Sequence, residues 1–392
     1  MTAIREMGIR AYISGLLIIL LCGGLQAARA QTTSSSADPS RTFPPVSISM
    51  SGLYQSRTYE NTDIYEMSSG VSARMQLMPN LGATLAIYQA TVEHDSLQRI
   101  SGLADIRVAI TYVARLNRSR IIAGVASNLP TGKSYLSRWA YDASFPMGLS
   151  HYDFSVPFFS QGTTISPSLG WVYSASPSFV IGLGANYRLR GSYEPHRQLP
   201  GKYEWGNELS FSANAEWNAS PTFSLNGGII FTLYDADKIE DVIVYTAGNR
   251  VVLRVGLFKQ LGRNDLWLDA VYRNVGTNQI LFNSSLLDEP VKATPGGARV
   301  SLRYRLRVHR IFRATFGASA RRYTDTFEIQ AFRGPELIRF DAIRNLDQLD
   351  VFSVSFNPEI SLAPSLTIPI QLDYFMGDLE GFNAGVGLTA IL

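Results

Sequence analysis

The chain alternates. From residue 296 onward, Val300, Leu302, Tyr304 and Leu306 are interleaved with Arg299, Ser301, Arg303, Arg305 and Arg307. Beyond a short turn, Phe312, Ala314, Phe316, Ala318 and Ala320 are interleaved with Arg313, Thr315, Gly317, Ser319 and Arg321. Successive side chains on a strand point to opposite faces, so this ribbon carries hydrocarbon on one face and guanidinium on the other. A soluble sheet would turn the apolar face to a core. A membrane barrel would turn it to lipid and put the arginines in a wet lumen.

The pattern repeats, which favours the barrel. Phe179, Ile181, Leu183, Ala185, Tyr187 and Leu189 oppose Asn186, Arg188 and Arg190. Leu209, Phe211, Ala213, Ala215 and Trp217 oppose Glu208, Ser210, Ser212, Asn214 and Glu216. Short turns punctuate these runs at Met78-Pro79-Asn80, Asn117-Arg118-Ser119, Ser176-Pro177-Ser178, Ser220-Pro221-Thr222, Gly262-Arg263-Asn264, His309-Arg310 and Ala363-Pro364-Ser365. Each lies between alternating runs of about a dozen residues, the length a tilted strand needs to cross a bilayer. With one strand before the first turn and one after the last, the expectation is an all-β, antiparallel, up-and-down transmembrane β-barrel of about 16 strands, with 14 as the alternative. Short turns would face the periplasm. The long connections near 94–102, 131–161, 192–204, 235–248, 278–295 and 324–349 would face outside. Within the last of these, Leu337, Phe340, Ile343 and Leu346 fall at near-helical spacing, so 334–349 is expected to form a short helix. Tyr54, Tyr112, Trp171, Tyr173, Tyr187, Trp217, Tyr272 and Tyr374 fall at strand ends, where interfacial girdles place them.

Composition supports this architecture. Hydrophobic residues make up 46% of the chain, yet beyond the N-terminus no apolar run is long enough for a membrane helix. The N-terminus reads as a cleavable signal peptide over 1–30: Arg5 and Arg10, an apolar stretch from Ile13 to Leu25, then Ala28-Arg29-Ala30. Residues 31–45 are rich in Ser, Thr and Pro and read as a flexible lead-in, leaving 46–392 for the barrel. The one cysteine, Cys22, falls in the signal segment, so the barrel has neither disulfides nor a cysteine metal site. The four histidines sit in predicted loops and turns, and no Gly-x-Ser-x-Gly, zinc spacing or phosphate loop occurs. No enzyme, cofactor, metal or nucleic-acid role is expected.

Alternation assigns Arg107, Arg188, Arg190, Arg254, Arg299, Arg303, Arg305, Arg307, Arg313 and Arg321 to the lumen, with Glu208, Glu216 and Asp269 among them. Charge this dense persists only in water or in ion pairs. Two readings follow: a basic wall that favours anionic or polar solutes, or a structural network bridging strands. The connection 131–161 carries Tyr135, Trp139, Tyr141, Phe145, Tyr152, Phe154, Phe158 and Phe159. A loop this long and aromatic does not wave in solvent; it folds into the lumen as a constriction or lies over the rim as a lid. By the strand count it joins the fifth and sixth strands, and its position resembles the constriction loop of sixteen-stranded general porins.

Three short motifs carry a family resemblance: Asn128-Leu129-Pro130-Thr131-Gly132-Lys133, Ile165-Ser166-Pro167-Ser168-Leu169-Gly170 and Gly182-Leu183-Gly184-Ala185-Asn186-Tyr187. With them the chain resembles the outer-membrane transporters that include the long-chain fatty-acid transporters and the phenol-degradation meta-pathway proteins. That resemblance implies uptake of hydrophobic or aromatic small molecules. The chain departs from the family in lacking room for an N-terminal plug, in exceeding fourteen strands, and in ending on Leu392 rather than an aromatic residue. The functional expectation is an outer-membrane channel or transporter for passive uptake of small molecules, hydrophobic, aromatic or anionic, in a Gram-negative bacterium. The alternative is a sealed barrel with a structural, adhesive or receptor role. Expected partners are outer-membrane lipid, the solute, and the barrel-assembly machinery during biogenesis.

Overall fold

The computed structural model describes residues 46–59, 62–94, 97–137, 140–141, 144–148, 152–197, 201–282, 285–288, 295–329 and 342–392. The signal segment and lead-in expected over 1–45 lie outside the described residues. The chain forms one closed antiparallel barrel of sixteen strands. The first five are β1 (Val46–Tyr59), β2 (Thr62–Met78), β3 (Leu81–His94), β4 (Leu97–Leu103 continued by Ile106–Leu116) and β5 (Ser119–Leu129). Next come β6 (Thr164–Ser176), β7 (Phe179–Arg190), β8 (Glu208–Ser220), β9 (Phe223–Tyr234), β10 (Arg250–Leu261) and β11 (Asn264–Val275). The last are β12 (Gly296–His309), β13 (Phe312–Ile329), β14 (Ala342–Ala363), β15 (Leu366–Gly377) and β16 (Glu380–Ile391). Both segments of β4 pair with β3, so they are one strand interrupted at Ala104 and Asp105. Each strand pairs with its neighbour in sequence, and β16 returns to β1 with Ser47 opposite Ile391 and Thr58 opposite Glu380. The terminal residues close the seam, Leu392 N donating to the Val46 carbonyl at 2.8 Å.

All seven expected turns are present at one rim, where both ends of the barrel also lie. At Gly262 (φ +63°) the chain takes the left-handed conformation that the tight reversal into Arg263 requires. The opposite rim carries the longer connections, with two departures from expectation. β1 and β2, and β15 and β16, are joined by only two residues each. Most of the expected loop 94–102 is strand, because Leu97–Leu103 adds to β3 through Gln89, Ala90, Thr91 and Val92. The helix expected over 334–349 is also corrected. Residues 342–349 are the start of β14 and pair with the end of β13, Leu346 opposite Thr326 and Leu349 opposite Tyr323. A strand partner supplies these residues with backbone hydrogen bonds, so ladder pairing overrides a short helical periodicity; 334–341 lie outside the described residues.

The faces are those of a barrel in hydrocarbon. Val300, Leu302, Leu268, Val255, Leu253, Val354 and Val386 point outward and are each 42–61% exposed. On the outer face, Tyr112, Trp171 and Trp217 sit near the short-turn rim and Tyr187, Tyr272 and Tyr374 near the other, as interfacial girdles require. Above the long-loop rim, three consecutive connections build a six-stranded sheet from Ser192–Tyr193, Tyr203–Glu204, Ala236–Ile239, Val242–Thr246, Gln279–Phe282 and Ser285–Asp288.

Leu302→Arg should abolish insertion into vesicles, since arginine costs about 2–4 kcal/mol at the midplane of the lipid face. Ser301→Arg, one residue away on the lumen face, should insert at close to the wild-type yield. Heat-modifiable electrophoretic mobility after refolding reads both; an equal loss would reverse the assignment of faces.

Candidate functional site

The interior is divided into two unlike halves, and the strand pattern explains why. On β3 and at the long-loop ends of β2 and β4, apolar side chains also point inward: Ile64, Ala86, Tyr88, Ala90, Val92 and Ile100 are all buried. A strand apolar on both faces needs a second apolar surface inside the barrel. The connection from β5 to β6 supplies it. Its Leu136, Met147, Tyr152, Phe154, Val156 and Phe159 are buried in one cluster with those residues and with Tyr323, Leu349, Val351, Phe375 and Leu379 from the other side of the seam.

Polar inward groups then fasten the loop's backbone. Gln55 Nε2 donates to the Asp153 carbonyl at 3.3 Å, and its Oε1 accepts from Ser155 N at 2.7 Å. Glu66, opposite Gln55 in the ladder, accepts from Val156 N at 3.0 Å. Arg57 Nε donates to the Tyr152 carbonyl at 2.7 Å and its NH1 to Asn383 Oδ1 at 2.9 Å. The Arg57 guanidinium lies between two rings, 4.2 Å from the centroid of Phe375 and 5.5 Å from that of Phe154. Cation–π contact and carbonyl acceptors compensate a charge that is 1% exposed. Asp105, at the break in β4, holds both roots of the loop: its carboxylate accepts from Gly132 N at 2.9 Å and from Gln161 N at 2.9 Å. Residue 132 has to be glycine there, because a Cβ would fall 1.9 Å from the Phe159 carbonyl oxygen.

The aromatic residues singled out in the loop therefore divide. Tyr152, Phe154 and Phe159 are anchors buried against the wall, not rings bare to a channel, because apolar inward positions on β2–β4 offer them a dry partner. Tyr141 packs on His196 at 5.0 Å, and Tyr135 turns away to the neighbouring connection, where Arg197 lies over its ring at 5.4 Å. Phe158 is 39% exposed. Trp139 and the Phe145 side chain lie outside the described residues.

Elsewhere the inward face, from β7 round to the short-turn ends of β13 and β14, carries a series of charged side chains, several of them open to water. Arg188 and Arg190 both pair with Glu208, the former at 3.0 Å. Arg303 pairs with Asp269 at 2.7 Å, Arg307 with Asp265 at 2.5 Å, and Arg305 reaches Asp265 at 3.8 Å. Arg313 pairs with Glu359, and Arg321 with Asp153 of the loop at 2.6 Å. Among the described residues no carboxylate lies within ion-pair distance of Arg107, Arg250 or Arg299; Arg107 lies over the Tyr88 ring at 5.5 Å and Arg250 over Tyr234 at 5.6 Å. Arg254 and Glu216 are inward by parity, on the same faces as Arg250 and Glu208. Arg303, Arg307 and Arg313 remain 40–47% exposed although they point inward. A cavity of about 690 Å³ opens at the short-turn rim, lined in part by Arg263, Arg307, Arg310 and Arg313. Toward the opposite rim, Arg190 lies under the indole of Trp205 at 5.5 Å, and Trp205 stacks with Tyr193.

The charged residues thus divide: most arginines of the wall are held in ion pairs, and Arg107, Arg250 and Arg299 have no carboxylate at ion-pair distance among the described residues. Residues that pattern reading passed over are Gln55, Arg57, Glu66, Tyr88, Asp153, Asp265 and Phe375. Strand parity places Arg57, Glu66 and Asp265 inward, so their orientation was within reach; that a loop would land on them was not.

No known protein family matches the chain, and no curated protein matches it. Solved structures of similar shape include the outer membrane protein opdK of Pseudomonas aeruginosa, at 8% identity and a TM-score of 0.46, covering 89% of this chain and 98% of that one. OccAB4 of Acinetobacter baumannii aligns at 8% identity and a TM-score of 0.44, covering 90% and 99%. A bacterial polysaccharide outer membrane secretin aligns at 11% identity and a TM-score of 0.48, covering 89% and 98%. The barrel assignment rests on this chain's own strand pairing.

Arg57→Ala should free the loop segment it holds. Each hydrogen bond to the guanidinium is worth about 1.5–3 kcal/mol, so amide hydrogen exchange across 152–156 should speed by one to two orders of magnitude. Phe158→Ala should leave those amides unchanged; equal acceleration would show that Arg57 is no anchor.

Proposed function

We propose that the protein is an outer-membrane channel for passive passage of small solutes, with a lumen that favours anions. The observation that carries this reading is the division of the interior. One half is sealed by the inward loop, while the other keeps arginines facing inward and open to water. Arg303, Arg307 and Arg313 are ion-paired yet keep 40–47% of their side chains open to water, which a filled, sealed interior would not leave. In a lumen narrowed by a loop, fixed positive charge lowers the barrier for anions and raises it for cations. The ion pairs with Glu208, Asp265, Asp269 and Glu359 temper that charge and hold the arginines in place, and Arg250 and Arg299 add cations with no carboxylate at ion-pair distance among the described residues. Residues 131–161 act as the constriction in this reading, their aromatic side chains serving as its foundation. Residence in the outer membrane of a Gram-negative cell, with the short turns in the periplasm, accords with the girdles, the short-turn rim and the export signal expected over residues 1–30.

The purified barrel in a planar bilayer should conduct, and its reversal potential under a potassium chloride gradient should indicate anion preference. Replacing Arg250 and Arg299 together by Ser should lower that preference several-fold without loss of conductance. A silent bilayer, or a cation-preferring channel, would overturn the reading. In intact cells an impermeant thiol reagent should label Asp241→Cys and spare Ser178→Cys; the reverse pattern would invert the orientation.

A further inference from the structure

The inward loop places one carboxylate in the arginine half of the lumen. Asp153 has φ +55°, a left-handed conformation that a non-glycine residue adopts at a cost of about 1–3 kcal/mol. The backbone on either side is clamped, through the Tyr152 and Asp153 carbonyls and through the amides of Ser155 and Val156. The clamps therefore fix where the carboxylate points: its Oδ2 meets Arg321 NH1 at 2.6 Å. Arg321 is opposite Arg299 in the β12–β13 ladder, so two like charges stand side by side on one face. Directly opposed like charges destabilise a sheet, and Arg299 has no carboxylate of its own at ion-pair distance among the described residues. Enclosure by the barrel wall works against a charge on Asp153 even though its side chain faces the open lumen, but Arg321 foremost, with Arg57 and Arg299, holds its carboxyl below the usual carboxylate range.

Exposure within the pair is lopsided. The Asp153 side chain is 55% exposed while Arg321 is 16% exposed. The cation belongs to the wall; the acid sits on its water side, where a dissolved anion would arrive. Arg321 Nε is buried with no hydrogen-bond partner, and the cation lies against the Phe375 ring at 5.9 Å, so it is fixed in the wall.

We propose that Arg299 and Arg321 form a binding site in the lumen for a carboxylate- or phosphate-bearing solute, and that Asp153 fills it as a built-in counter-ion. A solute anion competes with Asp153, so residue 153 sets how strongly the lumen holds anions. The proposal deepens the channel reading and relies on it for the solute's route, though not for the site itself.

Asp153→Asn tests it. Asparagine tolerates the left-handed conformation nearly as well as aspartate, so the loop keeps its path while the charge is removed. Inorganic phosphate titrated by calorimetry into the detergent-solubilised full barrel should bind Asp153→Asn at least about tenfold more tightly than wild type. Asp153→Asn/Arg321→Ser should lose that gain. In a bilayer, Asp153→Asn should show greater anion preference, and phosphate should reduce its chloride current. Binding no tighter than wild type, or equal binding by the double variant, would overturn the site. A silent bilayer with phosphate bound by Asp153→Asn would remove the channel reading and leave the site standing. A conducting, anion-preferring barrel with no gain in phosphate binding would do the opposite.

Discussion

A strand that crosses hydrocarbon has no water to satisfy its amides and carbonyls, and each group left unpaired there costs several kcal/mol. A sheet meets that demand only by having no edge. Here the closure lies between β1 and β16, carried to the last residue by the reciprocal hydrogen bonds of Val46 and Leu392. The outward alternation of Leu, Val and aromatic residues matters only because the sheet is closed; without the seam the same strands would expose two polar edges to lipid. Closure also creates an inside, and so allows charge where a two-layer soluble fold would allow only a core.

The inside is not uniform. Toward the long-loop ends of β2, β3 and β4 an apolar patch faces inward, and it stays dry because the loop after β5 covers it. From β7 to the short-turn ends of β13 and β14 the wall carries paired charges, several of them open to water. The loop separates the two. Its rings are buried on one side, while Asp153 meets the arginines on the other. A single segment thus supplies packing energy to one half of the interior and a charge to the other.

The fastening of that segment relies on backbone recognition. Gln55, Arg57, Glu66 and Asp105 bond mainly to amides and carbonyls of the loop. Side chains that grip a backbone fix its path while leaving the outward-pointing side chains free to vary. This is how a rigid barrel can hold a functional group on a long connection. The second tie, between Leu136 and His196, joins the loop to the neighbouring connection that contributes to the six-stranded outer sheet.

Strand number, turn positions, faces and girdles were legible in the sequence because period-2 alternation and turn chemistry are local properties. Arg188, Arg303 and Arg307 could be turned inward on parity alone. The ion partners were not legible: which carboxylate an arginine meets depends on register between strands, so parity could turn Asp265 inward but not show that Arg305 and Arg307 both reach it. The helical spacing of Leu337 to Leu346 misled, because a short apolar period cannot report that a partner strand is waiting for residues 342–349. The loop shows the limit best. Its length and aromatic content were plain, but its landing place depends on residues such as Arg57, Glu66 and Arg321, distant in the chain and brought together only by the closed sheet. Local pattern determined the barrel; long-range closure decided what stands inside it.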